Sequence, residues 1–298
     1  MVEWRKVIPE SRDRLQSKVL VWVVGMMLVT PLPVIALLSL HSARSGVMAL
    51  KALGISLTFG VLVWALRAAT PMAAFLGGVV CFWVIIGTGY TNSSLFRSGL
   101  TPLGVLFVLT FAATKAGRRR KVKLGVAEGK RGRNAAQIVA NLGAAGLVIV
   151  CGYFGVFDAL CCHGGIIAFS MYAVPLGVLA AMCEATADTV SSEIGQAFGG
   201  RPVMLTTLRR VEAGTDGAVT VFGTIAGIVG AAVGMWAMRM TGRAAMVGFA
   251  GGVAGLFFDS LLGATVERKG WLGNDLVNFS STVFAVLVAL GLAVWTAR

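Results

Sequence analysis

An all-α, polytopic helical membrane protein is the fold class that this sequence predicts, and three observations carry it. Of 298 residues, 57% are hydrophobic and only 13% charged, too little charge to cover the surface of a soluble domain of that size. The apolar residues fall in continuous runs close to the roughly 20 that a helix needs to cross a bilayer, not in the alternation of a β-barrel. Glycine, at 39 positions, suits close helix–helix contact in lipid.

About nine transmembrane helices are expected, over residues 19–40, 46–66, 71–90, 100–115, 135–157, 164–183, 218–240, 244–265 and 279–296. Pro31 and Pro33 interrupt the first and Pro175 kinks the sixth, because proline removes a helix hydrogen bond. The first run is too long for a signal-peptide core and lacks a convincing cleavage site, so it stays in the chain. Residues 1–18 then form an N-terminal cytoplasmic interfacial segment, and residues 19–298 a single helical membrane domain.

Nine spans put the two termini on opposite sides. With the N-terminus inside, twenty of the 26 lysines and arginines fall inside and six outside, as the positive-inside rule requires. The expected location is a prokaryotic cell membrane, with the N-terminus cytoplasmic and the C-terminus outside. The basic residues lie between apolar spans, so their partner is the lipid bilayer and not nucleic acid. His41 and His163 both fall outside, which disfavours a histidine base in a cytoplasmic site. Five cysteines show no zinc-type spacing; Cys161, Cys162 and His163 are adjacent, but vicinal cysteines do not easily chelate one ion.

Several polar groups intrude near the cytoplasmic ends of the spans. Glu184, Asp188, Ser192 and Gly195 share one helix face, and an aspartate inside a lipid-spanning helix costs about 2.5–3.5 kcal/mol, a cost normally retained for an ion, a substrate or a partner charge. Gly214-Thr215-Asp216-Gly217 directly precedes the seventh span, where Thr215 or Asp216 caps the helix and the free N–H groups offer a phosphate seat. The segment 117–133 is strongly basic, which suits a topology determinant and a contact with anionic lipid. After it Asn134, Gln137 and Asn141 make a polar stripe. Asp259-Ser260 lies late in the eighth span, and Asn274 and Asn278 sit one turn apart at the ninth. Carboxylates, amides, hydroxyls and bases converging at one membrane face suit a metal–phosphate ligand. The P-loop, the kinase catalytic set and the CDP-alcohol phosphotransferase pattern are absent.

These stretches carry a resemblance. KRGRNAAQIVAN (130–141), ADTVSSEIG (187–195), GTDGAVT (214–220), DSLLGAT (259–265) and NDLVN (274–278) resemble, in order and over about residues 98–281, the integral membrane family of plant phytyl-phosphate kinase and its uncharacterised prokaryotic relatives. The middle pair is also similar, more distantly, to segments of dolichol-kinase-type polyprenol kinases. The resemblance implies a phosphotransferase that moves the γ-phosphoryl group of a nucleoside triphosphate, CTP above all, to an isoprenoid or phytyl-type monophosphate, giving the diphosphate.

On that reading Asp188 and Asp259 hold Mg²⁺, with Glu193 as a further ligand or a support behind the ligands. Lys130, Arg131 and Arg133 neutralise phosphates, and Gly214 to Gly217 supply backbone donors, with Thr215 between them. Asn141, Ser192, Asn274 and Asn278 complete the nucleotide site. The incoming phosphate is already ionised, so no strong general base is needed. The competing class is a membrane transporter or lipid flippase with an intramembrane carboxylate site. It is disfavoured because the polar groups cluster at one face and no internal repeat is evident. A membrane scaffold leaves the intramembrane acids unexplained.

Overall fold

The computed structural model of the chain describes residues 8–88, 99–127, 132–156 and 167–297. Its helices, in chain order, are α1 (Glu10–Val29), α2 (Leu32–Ser39), α3 (Ala43–Ala65), α4 (Pro71–Gly87), α5 (Leu100–Lys115), α6 (Arg118–Leu124), α7 (Ala135–Tyr153), α8 (Ile167–Phe198), α9 (Val221–Met238), α10 (Gly242–Leu262) and α11 (Asn274–Ala297). A π-helical turn, Gly263–Glu267, extends α10. Between α8 and α9 two short strands, β1 (Val203–Met204) and β2 (Ala218–Val219), pair antiparallel.

Over the described residues each of the nine expected apolar segments is helical for most of its length, but fewer are full spans. Among the described residues seven helical segments are long and apolar enough to cross a membrane, or eight if α5 and α6, bent by 60°, make one span. The remaining segment, α4, has 17 residues, about 26 Å at 1.5 Å per residue, somewhat short of a hydrocarbon core of roughly 30 Å.

Local chemistry sets the helix ends. Pro31 lacks an N–H and separates α1 from α2; beside that break, the buried indole of Trp83 donates to the Leu28 carbonyl at 2.8 Å, so neither polar group is left alone in the core. Thr70 caps α4 ahead of Pro71, proline's favoured first position. Asn134 and Gln137 form a reciprocal capping box on α7, at 3.0 and 2.8 Å, a signal their spacing already carried. These two polar residues therefore begin the helix, Asn134 at an exposed position and Gln137 half-buried.

The core sits where α4, α7 and α8 meet, around Trp83, Ile85, Ile149, Val178 and Met182. Large side chains such as Trp22, Leu50, Trp236 and Trp295 stay exposed on the outside, as lipid-facing positions do. Helix α8 is the hub, packing on α5, α7, α9, α10 and α11. It does not stop at residue 183, where the apolar run ends, but continues to Phe198, about 48 Å in all. Its second half is held by glycines of α9: a Cβ at Gly223 would lie 2.6 Å from the Ser191 carbonyl oxygen, and one at Gly227 2.5 Å from that of Ala187. Glu184, Asp188 and Ser192 thus belong to one continuous, packed helix.

Residues 10–18, expected as part of an interfacial segment, are the first turns of α1. They dock on the α10–α11 connection. Arg12 donates to the Gly270 carbonyl at 3.2 Å, Gln16 exchanges bonds with Trp271 and Gly273 at 2.8 and 2.7 Å, and Ser17 donates to Asp275 at 2.6 Å. The start of α1 and the α10–α11 connection therefore share one end of the bundle.

Candidate functional site

A polar cavity of about 270 Å³ opens at that end. Thirteen residues were expected at the site; Lys130 and Arg131 lie outside the described residues, and the other eleven all line this cavity. Arg133 and Asn141 come from the start of α7, and Asp188, Ser192 and Glu193 from α8. Gly214, Thr215 and Gly217 come from the segment leading into β2, Asp259 from α10, and Asn274 and Asn278 from α11. Residues up to 145 positions apart in the chain (133 to 278) meet there. Cys161, Cys162 and His163 lie outside the described residues.

The acids are arranged in a ladder between α8, α10 and α11. Glu184 is buried and does not line the cavity; its carboxylate accepts from Ser281 at 2.6 Å and from Thr282 at 2.8 Å. The Ser281 hydroxyl also lies 3.1 Å from Asp259. With the orientation that satisfies its neighbours, the Asn278 amide donates to Asp259 at 3.2 Å and to the Asn274 carbonyl at 3.1 Å. Asp188, one turn beyond Glu184, faces the open space. Ser281 and Thr282 were not among the expected site residues, since hydroxyls one turn after Asn278 read as ordinary helix-interior polar groups.

Arg133 is placed by its backbone. Its N–H donates to the Ala68 carbonyl and its own carbonyl accepts from Thr70, both at 2.9 Å. Gly132 before it has φ +72°, and a Cβ there would meet the Ala68 carbonyl carbon at 2.5 Å, so only glycine permits this clamp. The guanidinium reaches Thr189 at 3.4 Å and lies near enough to Asp188 to act on its charge.

Glu193 borders the cavity, yet both its carboxylate oxygens are committed elsewhere. One accepts from Thr114 at 3.0 Å and the other from Lys121 at 2.5 Å. Lys121 also donates to the Ala113 and Thr114 carbonyls at 3.0 and 2.8 Å, which accounts for all three ammonium protons. It is 1% exposed, while its neighbours Arg119, Arg120 and Lys123 are exposed. Nothing in the run RRRKVK distinguishes it, and only the fold reveals that it ties α6 to α8. Glu193 is accordingly better suited to hold the wall than to ligate an ion.

The Gly-Thr-Asp-Gly turn departs from the helix-cap expectation. Helix α9 starts later, at Val221, and its cap is Thr220, which accepts from Gly223 N at 3.0 Å. Ala218–Val219, expected as the start of the span, is instead strand β2. Thr215 is buried and donates to the Glu212 carbonyl at 2.8 Å. Gly217, at φ +72°, packs on the π turn, where a Cβ would sit 2.1 Å from Ala264 N. The turn lines the cavity from the side and is not the N-terminus of a helix. Glu267, also in the wall and 9% exposed, was not expected from the sequence.

Among the described residues no group of three or more His, Cys, Asp or Glu is arranged to hold a metal ion. The donor set is instead of the open kind: two carboxylates, Asp188 and Asp259, from separate helices. Asn141 lies in the same wall, its buried Oδ1 without a hydrogen-bond partner. Mg²⁺ commonly takes one or two carboxylates and completes its shell with water and phosphate oxygens, so these residues fit a cation that arrives with a phosphate ligand.

Fold and cavity together define a polytopic helical membrane protein with a polar, acid- and amide-lined site at one end of its bundle. The chain belongs to the integral membrane protein family DUF92, which matches residues 54–286. The match is wider at both ends than the motifs suggested, taking in about half of α3 and all of α4. An uncharacterised membrane protein of Methanocaldococcus jannaschii is 42% identical over 118 residues, 39% of this chain and 50% of that protein. Protein VTE6, chloroplastic, of Arabidopsis thaliana is 34% identical over 238 residues, 77% of this chain and 66% of that one. An uncharacterised membrane protein of Synechocystis is 29% identical over 227 residues, 74% and 79% of the two chains. The matches thus span half and 66% of the length of the first two relatives. No solved structure matches the chain.

Proposed function

We propose that the chain is a membrane lipid-phosphate kinase, transferring a phosphoryl group from a nucleoside triphosphate to an isoprenoid or phytyl-type monophosphate. The observation that carries this is the convergence of eleven motif residues from five separate stretches on one polar cavity at the membrane end. The resemblance to the family of phytyl-phosphate kinase adds the substrate class and favours CTP. By the distribution of basic residues, the site lies on the cytoplasmic side of a prokaryotic cell membrane.

The chemistry asks for positioning and charge neutralisation. An ionised oxygen of the lipid monophosphate forms a bond to the γ-phosphorus, while the bond from that phosphorus to the β–γ bridging oxygen breaks. The products are the lipid diphosphate and a nucleoside diphosphate. No strong base is needed, and no histidine lines the cavity among the described residues. Arg133 would neutralise phosphate charge, and Asp188 and Asp259 would hold Mg²⁺, which supplies further neutralisation when bound. Ser192, Asn274 and Asn278 offer hydrogen bonds to the nucleotide, and the Gly214–Gly217 turn offers backbone donors.

The test is purified protein in nanodiscs with Mg²⁺, labelled CTP, ATP, GTP or UTP, and a panel of prenyl monophosphates. A labelled prenyl diphosphate should form, and the effective nucleotide should raise the melting temperature. A ligand at a hundred times its dissociation constant contributes about 2.7 kcal/mol. A gradient-driven transporter gives neither result. Absence of both product and melting shift with all four nucleotides would end the kinase reading.

A further inference from the structure

A second cleft adjoins the polar cavity and differs from it in chemistry. Its deep part is apolar, built by Phe59 of α3, Leu103 and Phe107 of α5, and Ile138 and Leu142 of α7. Its rim at the site end carries Arg67, Lys115 and Arg118. None of these three has a carboxylate partner among the described residues. Nearby Lys121, by contrast, is fully engaged. The two spaces share two wall residues, Arg133 and Asn141. Asn141 is 6% exposed and its Oδ1 is unpartnered.

The cleft lies at a gap between α3 and α5. Helix α3 packs on α4, whereas α5 packs on α8 and α9. Across the gap Phe59 and Phe107 meet edge to face, with ring centroids 6.0 Å apart. Phe107 stacks on Phe111 at 5.9 Å, and the Lys115 ammonium lies 5.1 Å from the Phe111 ring centre. A line of aromatic rings therefore runs from the helix gap to the basic rim. An apolar interior below three cations is complementary to a molecule with one long apolar chain and one phosphate.

We propose that this cleft is the acceptor site: it seats an isoprenoid monophosphate with its phosphate against Arg67, Lys115 and Arg118 and its chain between α3 and α5. At about 110 Å³ the cleft holds the head and the first part of the chain, and the rest leaves past Phe59 and Phe107 into the bilayer. The phosphate then points toward the polar cavity across Arg133 and Asn141. The assignment rests on the reading of the protein as a lipid-phosphate kinase, but it makes a separate statement about where the lipid binds.

Cross-linking the full chain in nanodiscs with a diazirine-bearing farnesyl monophosphate decides it. Labelled peptides should come from α3 and α5, and unlabelled farnesyl monophosphate should displace the probe. Labelling confined to other helices would overturn the cleft. If phosphatidic acid displaces the probe equally well, the cleft is a general anionic-lipid site and the isoprenoid assignment falls. In the kinase assay, Arg67→Gln and Arg118→Gln should each raise KM for the prenyl monophosphate about tenfold, the size of a lost charge-assisted contact, while leaving KM for the nucleotide unchanged. Turnover with an unchanged lipid KM and labels elsewhere removes the cleft and leaves the kinase. Specific labels on α3 and α5 without any turnover keep the cleft and remove the kinase. The labelling map needs no variant, so it decides even where a substitution fails to fold.

Discussion

Lys121 and Glu193 meet at 2.5 Å with side chains 1% and 12% exposed, joining the short helix α6 to the α8 wall of the site. Removing one partner of a buried pair leaves a stranded charge, at a cost of about 3–5 kcal/mol. Lys121→Met and Glu193→Gln should therefore each lower the melting temperature in detergent markedly, and by similar amounts. The double variant should recover most of the loss. If Glu193→Gln abolishes turnover while leaving the melting temperature unchanged, Glu193 acts on the ligand and not on the wall.

Asp188 and Glu184 lie one turn apart but face different surroundings. Asp188→Asn keeps the volume and removes a charge assigned to Mg²⁺, so turnover should fall by at least about a hundredfold in protein that still inserts and folds. Glu184→Gln, held between Ser281 and Thr282 away from the cavity, should lose much less. Steady-state assays on both variants, with melting curves alongside, check the ordering. Equal losses would place Glu184 in the chemistry.

The contrast between Gly217 and Gly200 isolates packing from backbone strain. Both have positive φ, +72° and +75°, but a Cβ at Gly217 meets Ala264 N at 2.1 Å while one at Gly200 meets nothing within 4 Å. Gly200→Ala should cost about 1–2 kcal/mol from conformation alone. Gly217→Ala should cost that plus about 1–3 kcal/mol or more of overpacking. Thermal denaturation without nucleotide measures both. Equal melting shifts would mean that the turn and the π segment are not in contact.

Orientation is open to cysteine labelling. In a cysteine-free background, Arg119→Cys and Arg209→Cys should react with an impermeant maleimide from the cytoplasmic side. His41→Cys and Arg243→Cys, also exposed, should react from the other. All four reacting from one side would overturn both the span count and the sidedness of the site.

Much of this arrangement was legible in the sequence because lipid imposes a simple rule. Length and apolarity alone located the helical segments, and a polar residue kept inside one needs a reason. Asp188, Asp259, Asn274 and Asn278 stand out on that ground, and their matching depth follows from the side assigned to each loop. What the sequence hid is what depends on a neighbour far along the chain. Lys121 reads like any base in a basic run until Glu193 is brought beside it. Gly217 reads as a flexible turn residue until Ala264 is found against it. Ala218 and Val219 read as helix because they are apolar, and only pairing with β1 draws them into a strand. The capping box of Asn134 and Gln137 is different, since its spacing was present in the sequence and was open to being read.

The glycine contacts at Gly223 and Gly227 have a mechanical consequence. With the α9 backbone resting directly on the Ser191 and Ala187 carbonyls, α9 cannot slide along α8 without first lifting away from it. The wall that carries the Gly-Thr-Asp-Gly turn is thereby keyed to Asp188 like a stator. The seam between α3 and α5 is of another kind, for there two phenylalanine rings meet edge to face and no backbone is wedged against a carbonyl.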